Sequence, residues 1–228
     1  MNKDSLYMGK MLAQLVKAPS KGNILARIYS KIFRKKKKIA LGIYGPVNSG
    51  KTTLANRICM DFVGEKLGTV SRVPHETRAV SVMENVALRM NNDSSLLMDI
   101  IDTPGIATRI TYRTFLRYGF KKNEAIERAA EAARGVVEAI RSMEKVDAAL
   151  IVLDSSKDPT SQVNWVIAGN LRARNIPYII VANKIDLPYA RPSRVEKVFS
   201  TERVVPISAL RGDNMEELYK AIVEVAGK

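Results

Sequence analysis

GPVNSGKT, residues 45–52, lies between an apolar run, IALGIYG from Ile39 to Gly45, and KTTLANRICMDF, which carries Leu54, Ile58 and Phe62 at helical spacing. It fits G-x-x-x-x-G-K-[ST] at every specified position, the pattern of a loop that cradles phosphates. Glycines at its two ends permit a tight turn whose backbone N–H groups aim at phosphate oxygens, at the positive end of the following helix. Gly45, Pro46, Val47, Asn48, Ser49, Gly50, Lys51, Thr52 and Thr53 are therefore candidate nucleotide contacts. Lys51 brings a point charge to the β- and γ-phosphates, and the Thr52 hydroxyl is a candidate Mg²⁺ ligand. A buried strand before the loop and a helix after it are the context this motif requires.

The chain has 228 residues, 46% hydrophobic and 26% charged, which suits one soluble α/β domain with an extension. Its one cysteine, Cys59, excludes an internal disulfide and a thiol-rich metal site. No apolar run reaches 18 residues and no secretory leader pattern is visible, so a cytoplasmic setting is expected. The net charge of +14 is unevenly spread. Residues 1–38 hold 11 Lys and Arg against one acid, Asp4, whereas the other 190 residues hold 26 against 22. The boundary is set accordingly, with a basic extension at 1–37 and one domain at 38–228.

Beyond the extension, strands and helices alternate, the pattern of a mostly parallel sheet covered on both faces. Strands are expected near 38–44, 79–90, 95–102, 147–154, 176–182 and 203–207, and helices near 51–62, 121–144, 160–173, 192–199 and 214–226. Asn91-Asn92-Asp93 suits a hairpin turn, which makes one edge strand antiparallel. In the longest helix Ile126, Ala130, Ala133, Val137, Ile140 and Met143 form one stripe, expected to face the core. Asn123 is its expected cap, with Glu127 and Arg128 facing water.

Two more elements complement the loop. The strand SSLLMDII runs into DTPG, Asp102, Thr103, Pro104 and Gly105. A carboxylate at the C-terminal end of a strand opposite the phosphate loop can serve Mg²⁺, and the Gly105 N–H can approach the γ-phosphate. NKID follows the apolar run YIIVA, placing Asn183, Lys184 and Asp186 at another strand end. The Asp186 carboxylate can accept from N1–H and N2–H₂ of guanine, a pairing that adenine does not offer, and this disfavours an ATP site. Asn183 is expected to tie this segment to the phosphate loop, and the Lys184 stem to cover the base. Ser208, Ala209 and Leu210 follow the last strand, where the Ala209 N–H is a candidate donor to guanine O6.

GPVNSGKT, DTPG, NKID and SAL in this order resemble the translation-factor-class P-loop GTPases, and within them the Era-like group that includes the tRNA-modification and ribosome-assembly GTPases. The resemblance spans about residues 38–228. It implies a Ras-like G domain: a six-stranded, mostly parallel sheet with one antiparallel edge strand and helices on both faces. It further implies GTP and GDP as ligands with Mg²⁺, and a GTP-hydrolysing switch with a slow intrinsic rate. A non-catalytic GTP-binding adaptor is the alternative. The sequence ends at Lys228, just past the expected last helix, so the KH domain of true Era proteins is not expected and Era's ribosomal role is not carried over.

The same resemblance assigns a switch threonine. PHETRAV looks like the group's P-x-x-T-R pattern, which makes Thr77 the candidate that closes over Mg²⁺ and the γ-phosphate, with Thr69 the second choice. Lys51, Thr77 and Gly105 are then the residues that serve the reaction, and Thr52, Thr77 and Asp102 those that serve Mg²⁺. Asn48 matches the G-x-x-N-x-G-K-[ST] form of potassium-activated members, where it helps hold K⁺; a turn-supporting role stays equally open. After DTPG stands Ile106, where Ras-like enzymes carry a water-orienting Gln.

Two regions lie outside the motifs. Between DTPG and NKID are 77 residues, with the excess in ATRITYRTFLRYGFKK, 107–122, read as a mobile switch segment. Its Arg109, Tyr112, Arg113, Phe115, Arg117 and Tyr118 suit RNA stacking or a protein contact, against a loop packed by its own aromatics. In the extension, Ile24, Leu25, Ile28, Tyr29, Ile32 and Phe33 recur at helical spacing among Lys21, Arg27, Lys31 and Arg34. An anionic membrane surface, RNA or the ribosome, and packing on the GTPase domain are its three open partners. An unknown protein effector and a dimer through the switches are also expected.

Overall fold

The computed structural model describes residues 38–63, 79–89, 95–107 and 109–226. In chain order these form β1 (Lys38–Tyr44), α1 (Lys51–Phe62), β2 (Ser81–Arg89), β3 (Ser95–Asp102), α2 (Tyr112–Leu116) and α3 (Lys122–Ser142). They continue through β4 (Ala148–Asp154), α4 (Gln162–Ala173), β5 (Tyr178–Asn183), α5 (Pro192–Val198), β6 (Val204–Pro206) and α6 (Met215–Ala226). The extension 1–37, Thr69, Thr77 and the Asn91-Asn92-Asp93 turn lie outside the described residues.

The six strands form one sheet in the order β2-β3-β1-β4-β5-β6. Only the β2/β3 pair is antiparallel, so the expected antiparallel strand is at the edge. A register shift between Met83 and Val86 bulges that edge; Asn85 takes φ 58°, and its N–H donates to Asp99 Oδ1 at 2.9 Å. β4 and β5 are buried along their whole length, as continuous apolar strands covered on both faces must be.

Two apolar layers flank the sheet. On one face Ile39, Leu41 and Ile43 pack with Leu54 and Ile58 of α1 and Leu218 and Ile222 of α6. On the other Tyr44, Ala149, Ile151 and Ile180 pack with Ala139 of α3, Ile167 and Leu171 of α4, and Val195 of α5. Since parallel strands all end at the same side, Gly45, Asp102, Asp154 and Asn183 are delivered to one edge.

Of three expectations about α3, the first holds in part, with Met143 buried and Ile140 packed against the core, and its remainder and the other two are corrected. Its buried residues are Ala125, Ala132, Gly135, Ala139 and Ser142, while Ile126 and Val137 are each 47% exposed and Ala130 and Ala133 are also exposed. The helix is rotated from the expected stripe because small residues let it approach the sheet closely, and there Ser142 Oγ meets the buried Tyr44 hydroxyl at 3.0 Å. The cap is Lys121, not Asn123, with Glu124 accepting the Lys121 N–H. Arg128, expected in water, lies over the Phe120 ring at 4.2 Å.

The described part of the expected switch segment, 109–122, carries regular structure. It contains α2, whose Phe115 is buried, and Phe115 packs with Ala125, Ala132, Tyr112 and Phe120 in a small satellite cluster. Arg109, Arg113, Arg117 and Tyr118 remain exposed.

Candidate nucleotide site

The phosphate loop leaves β1 at Gly45 and enters α1 at Lys51 through Gly50, which takes φ 97°. A Cβ on Gly50 would lie 2.3 Å from Asn183 Nδ2, so the motif's second glycine serves both the left-handed turn and the approach of the NKID segment. Asn183 Nδ2 donates to Ser49 O at 3.0 Å, and Asn183 Oδ1 accepts the Ala209 N–H at 3.0 Å. One buried side chain thus joins phosphate loop, NKID and SAL; the sequence suggests only the tie to the phosphate loop. Lys184, at φ 68°, adds a second tie by donating to Asn48 O at 2.7 Å.

Lys51 is buried and donates to Pro46 O at 2.8 Å. Burial of its ammonium lowers its pKa to about 8; neighbouring Asp102 opposes the drop and Lys184 adds to it. A cation held in so dry a pocket is poised for an anion.

Thr52 Oγ1 donates to Asp102 Oδ2 at 2.7 Å. Asp102 is 1% exposed, and burial raises its pKa against the hydrogen bond from Thr52 and the charge of Lys51. Its Oδ1 is buried with no hydrogen-bond partner. An orphaned carboxylate oxygen beside a hydroxyl is a hard-oxygen donor set that fits Mg²⁺. Among the described residues no cluster of three His, Cys, Asp or Glu could hold a metal by itself.

DTPG packs directly on the loop. Thr103 Oγ1 donates to Ile43 O at 2.7 Å, Pro104 is buried, and a Cβ on Gly105 would lie 2.8 Å from Val47 Cα. Ile106 donates its N–H to Gly45 O at 3.1 Å and buries its side chain in the core, so this position offers nothing to a water molecule.

A cavity of about 590 Å³ opens between Asn48, Gly50 and Thr53 on one side and Asn183, Lys184, Asp186 and Leu210 on the other. Asp186 is fixed by Ser208, whose hydroxyl donates to Oδ1 at 2.7 Å. Leu210 and Tyr189 stand at the rim, 69% and 62% exposed. The Ala209 N–H is engaged by Asn183 Oδ1, so it meets a base oxygen only by sharing or exchanging that partner.

Two residues outside the sequence motifs support the site. Asp154 Oδ2 accepts from Lys184 Nζ at 2.7 Å, and Oδ1 accepts from the Ser156 N–H and hydroxyl. Burial pulls the Asp154 pKa up, but these bonds outweigh it and hold the carboxyl below its usual range. Its signal was available: it ends an apolar strand, AALIVLD, as Asp102 ends SLLMDIID. Arg57 on α1 donates to Ala209 O at 3.2 Å and to Leu210 O at 2.8 Å, bracing SAL against the helix. No sequence pattern marks it, because its partners are carbonyls more than 150 residues away.

Comparisons with known proteins agree with this geometry. A family model described as 50S ribosome-binding GTPase matches residues 40–184. The chain is similar to the tRNA modification GTPase MnmE of Thermotoga petrophila, 29% identical over 87% of this chain and 40% of the relative. It is similar to GTPase Era of Rickettsia conorii, 31% identical over 83% of this chain and 49% of the relative. Aquifex aeolicus Era bound to GDP·AlF4⁻ superposes with a TM-score of 0.62 at 26% identity, over 83% of this chain and 57% of that one. An Era structure with MgGDPNP and nucleotides 1506–1542 of 16S ribosomal RNA gives the same values. The chain spans about half the length of the curated relatives it matches.

Proposed function

This chain belongs to the 50S ribosome-binding GTPase family, with an Era-like P-loop GTPase fold, and from that premise we propose that it is a switch that binds GTP and hydrolyses it to GDP and phosphate. The observation that carries the reading is the triple junction at Asn183, which holds the phosphate loop and the two base-reading segments in one frame. Asp186, oriented by Ser208, accepts from guanine N1–H and N2–H₂. Lys184 and Leu210 line the cavity, which supports a base covered by the Lys184 stem with Ser208, Ala209 and Leu210 toward its O6 edge.

At the phosphates, the loop residues from Gly45 to Thr53 supply backbone donors, and Lys51 supplies its charge as oxygen charge builds in the transition state. Mg²⁺, held by Thr52 and Asp102 with Thr77 joining from the switch, would neutralise phosphate charge. Gly105 offers its N–H to the γ-phosphate at the close packing of DTPG on the loop. Because Ile106 is buried, water is oriented by switch backbone, a partner, or both, and intrinsic turnover is slow. That same residue supports a second reading, an adaptor that binds GTP with negligible turnover.

Asn48 takes φ 61° and lines the nucleotide cavity, which supports the reading that it helps hold K⁺ against the phosphates. A K⁺ held there would supply the electrostatic stabilisation that an arginine finger gives elsewhere. The partners proposed are RNA or the ribosome, an anionic membrane surface reached by residues 1–38, a protein effector, and a second copy through the switches. The Era relative solved with 16S ribosomal RNA supports the RNA reading. The location proposed is cytoplasmic, with peripheral contact at the membrane if the arm binds lipid. Among the described residues no helix is long and apolar enough to cross a membrane. Single-turnover hydrolysis in K⁺ and in Na⁺ tests the enzyme. Faster phosphate release in K⁺ is expected; equal rates would remove the K⁺ role, and release no faster than a protein-free blank would leave the adaptor.

A further inference from the structure

Positive charge is concentrated in one part of the domain. Residues 39–228 hold 26 Lys and Arg against 22 acids, and 109–122 alone holds Arg109, Arg113, Arg117, Lys121 and Lys122 with no acid. Without that segment the domain holds 21 against 22, so its whole net positive charge sits there. All five cations are exposed, and none forms an ion pair with another described residue. Such clustering on a small surface raises a positive potential, the electrostatic footprint of a polyanionic partner.

The fold sorts the segment by side chain. Phe115 is buried, and Tyr112 and Phe120 pack against it, which leaves the outside to the cations. Tyr118 stays out, 50% exposed. Beside it Gly119 takes φ 87° and has open space where a Cβ would stand. A ring next to an open step, with Arg117 and Lys121 on either side in sequence, offers a stacking platform. A second feature lies beside Arg113, a cavity of about 460 Å³ lined by Ile110, Thr111, Tyr112, Arg113, Ile126 and Ala129. Apolar walls with a guanidinium among them suit a splayed-out base, which stacks on aromatic rings and Arg planes.

Three polyanions compete for this charge. Duplex RNA is read by shape across its grooves and uses no base pocket. An anionic bilayer asks for a helix long enough to lay an apolar face in the interface, whereas α2 has five residues. A single strand uses both features, with its phosphates on the cations and its bases on the platform and in the cavity. Three of the five cations are Arg, whose planar fork pairs bidentately with phosphate. We infer that α2 and the start of α3 form a surface for single-stranded RNA, with one base on Tyr118 and another in the cavity beside Arg113. This rests on the reading of RNA as a partner and assigns that partner a surface. Arg109 stands four residues past Gly105, so the strand lies on the segment that carries the proposed γ-phosphate donor.

Anisotropy titration of the full chain with a fluorescent single-stranded RNA of about 12 nucleotides tests this. Arg113→Ala with Arg117→Ala should weaken binding at least tenfold. It should also flatten the slope of log K against log salt by about 1.4, the counterions of two phosphates. Lys145→Ala with Lys197→Ala, an equal loss of charge at exposed positions elsewhere, should change affinity less than twofold. Tyr118→Ala should cost at least fivefold with the salt slope unchanged, and Tyr118→Phe should restore binding. Retained GDP affinity in every variant shows that the fold is intact. If the double-arginine variant binds like the lysine control, or Tyr118→Ala like the unaltered chain, the inference is overturned while RNA survives as a partner of another surface. No RNA binding by the unaltered chain overturns both readings. A double-arginine variant that keeps RNA but loses vesicles of phosphatidylcholine and phosphatidylserine, mixed about 7:3, would make a membrane the occupant and overturn the inference equally.

Discussion

The nucleotide edge and the region around α2 are built differently. At the nucleotide edge, four strand ends are tied by side chains that reach across the chain: Asn183 to Ser49 and Ala209, Lys184 to Asn48 and Asp154, Thr103 to Ile43. Around α2 the chain is held by one satellite cluster of Phe115, Ala125 and Ala132, with Ile110, Tyr112 and Phe120 packed against it. The nucleotide edge is thereby held in one frame by bonds between distant parts of the chain. The α2 region, held by one small cluster, is where local opening should cost least.

Asp186→Asn should produce the largest change. With the carboxylate gone, guanine loses its bidentate acceptor, GTP affinity falls about 10³-fold, and xanthosine triphosphate becomes the better ligand. Competition titration against a fluorescent GDP reads both, and unchanged preference would break the assignment of the rigid edge. Phe115→Ala strikes the other region. Emptying its buried site should cost about 3 kcal/mol of local stability, visible as faster hydrogen exchange over 109–135, while GTP affinity changes less than twofold. If affinity fell in parallel, the two regions would not be separable.

Arg57→Ala removes the brace on SAL and should weaken GTP binding by about 2 kcal/mol, with partial recovery in Arg57→Lys. GTP and inosine triphosphate, which keeps O6, should weaken alike in calorimetry; a loss confined to one of them would show a different role. The smallest effect is set by pH. Lys51 has a pKa near 8 without nucleotide, and phosphates raise it, so binding takes up a proton above that value. Affinity should be flat below pH 7 and fall about tenfold from pH 7 to 9, a slope that Lys51→Arg removes. A flat profile to pH 9 would mean that Lys51 is not desolvated.

Most of the nucleotide edge was legible because its chemistry depends on residue type at fixed spacing. GPVNSGKT, DTPG and NKID each end an apolar run, and the element order that frames them is as expected, with β2 antiparallel at the edge. The α3 face was misread at Ile126, Ala130, Ala133 and Val137, which are exposed while Ala125, Ala132 and Gly135 are buried; Ile140 and Met143 face the core as expected. Alanines, Gly135 and Ser142 win the inner face by permitting close approach, and periodicity weighted by hydrophobicity does not register that. Phe115 lies in a helix of five residues, too short for a periodic signal. Arg57 binds carbonyls, whose positions are set only by the fold.

The most direct measurement is equilibrium competition of GTP and ATP, each with Mg²⁺, for the nucleotide site of the full chain. The account predicts that GTP displaces a fluorescent GDP at least 10³-fold more effectively than ATP, because only guanine satisfies both Asp186 oxygens. Equal displacement by the two nucleotides would contradict it.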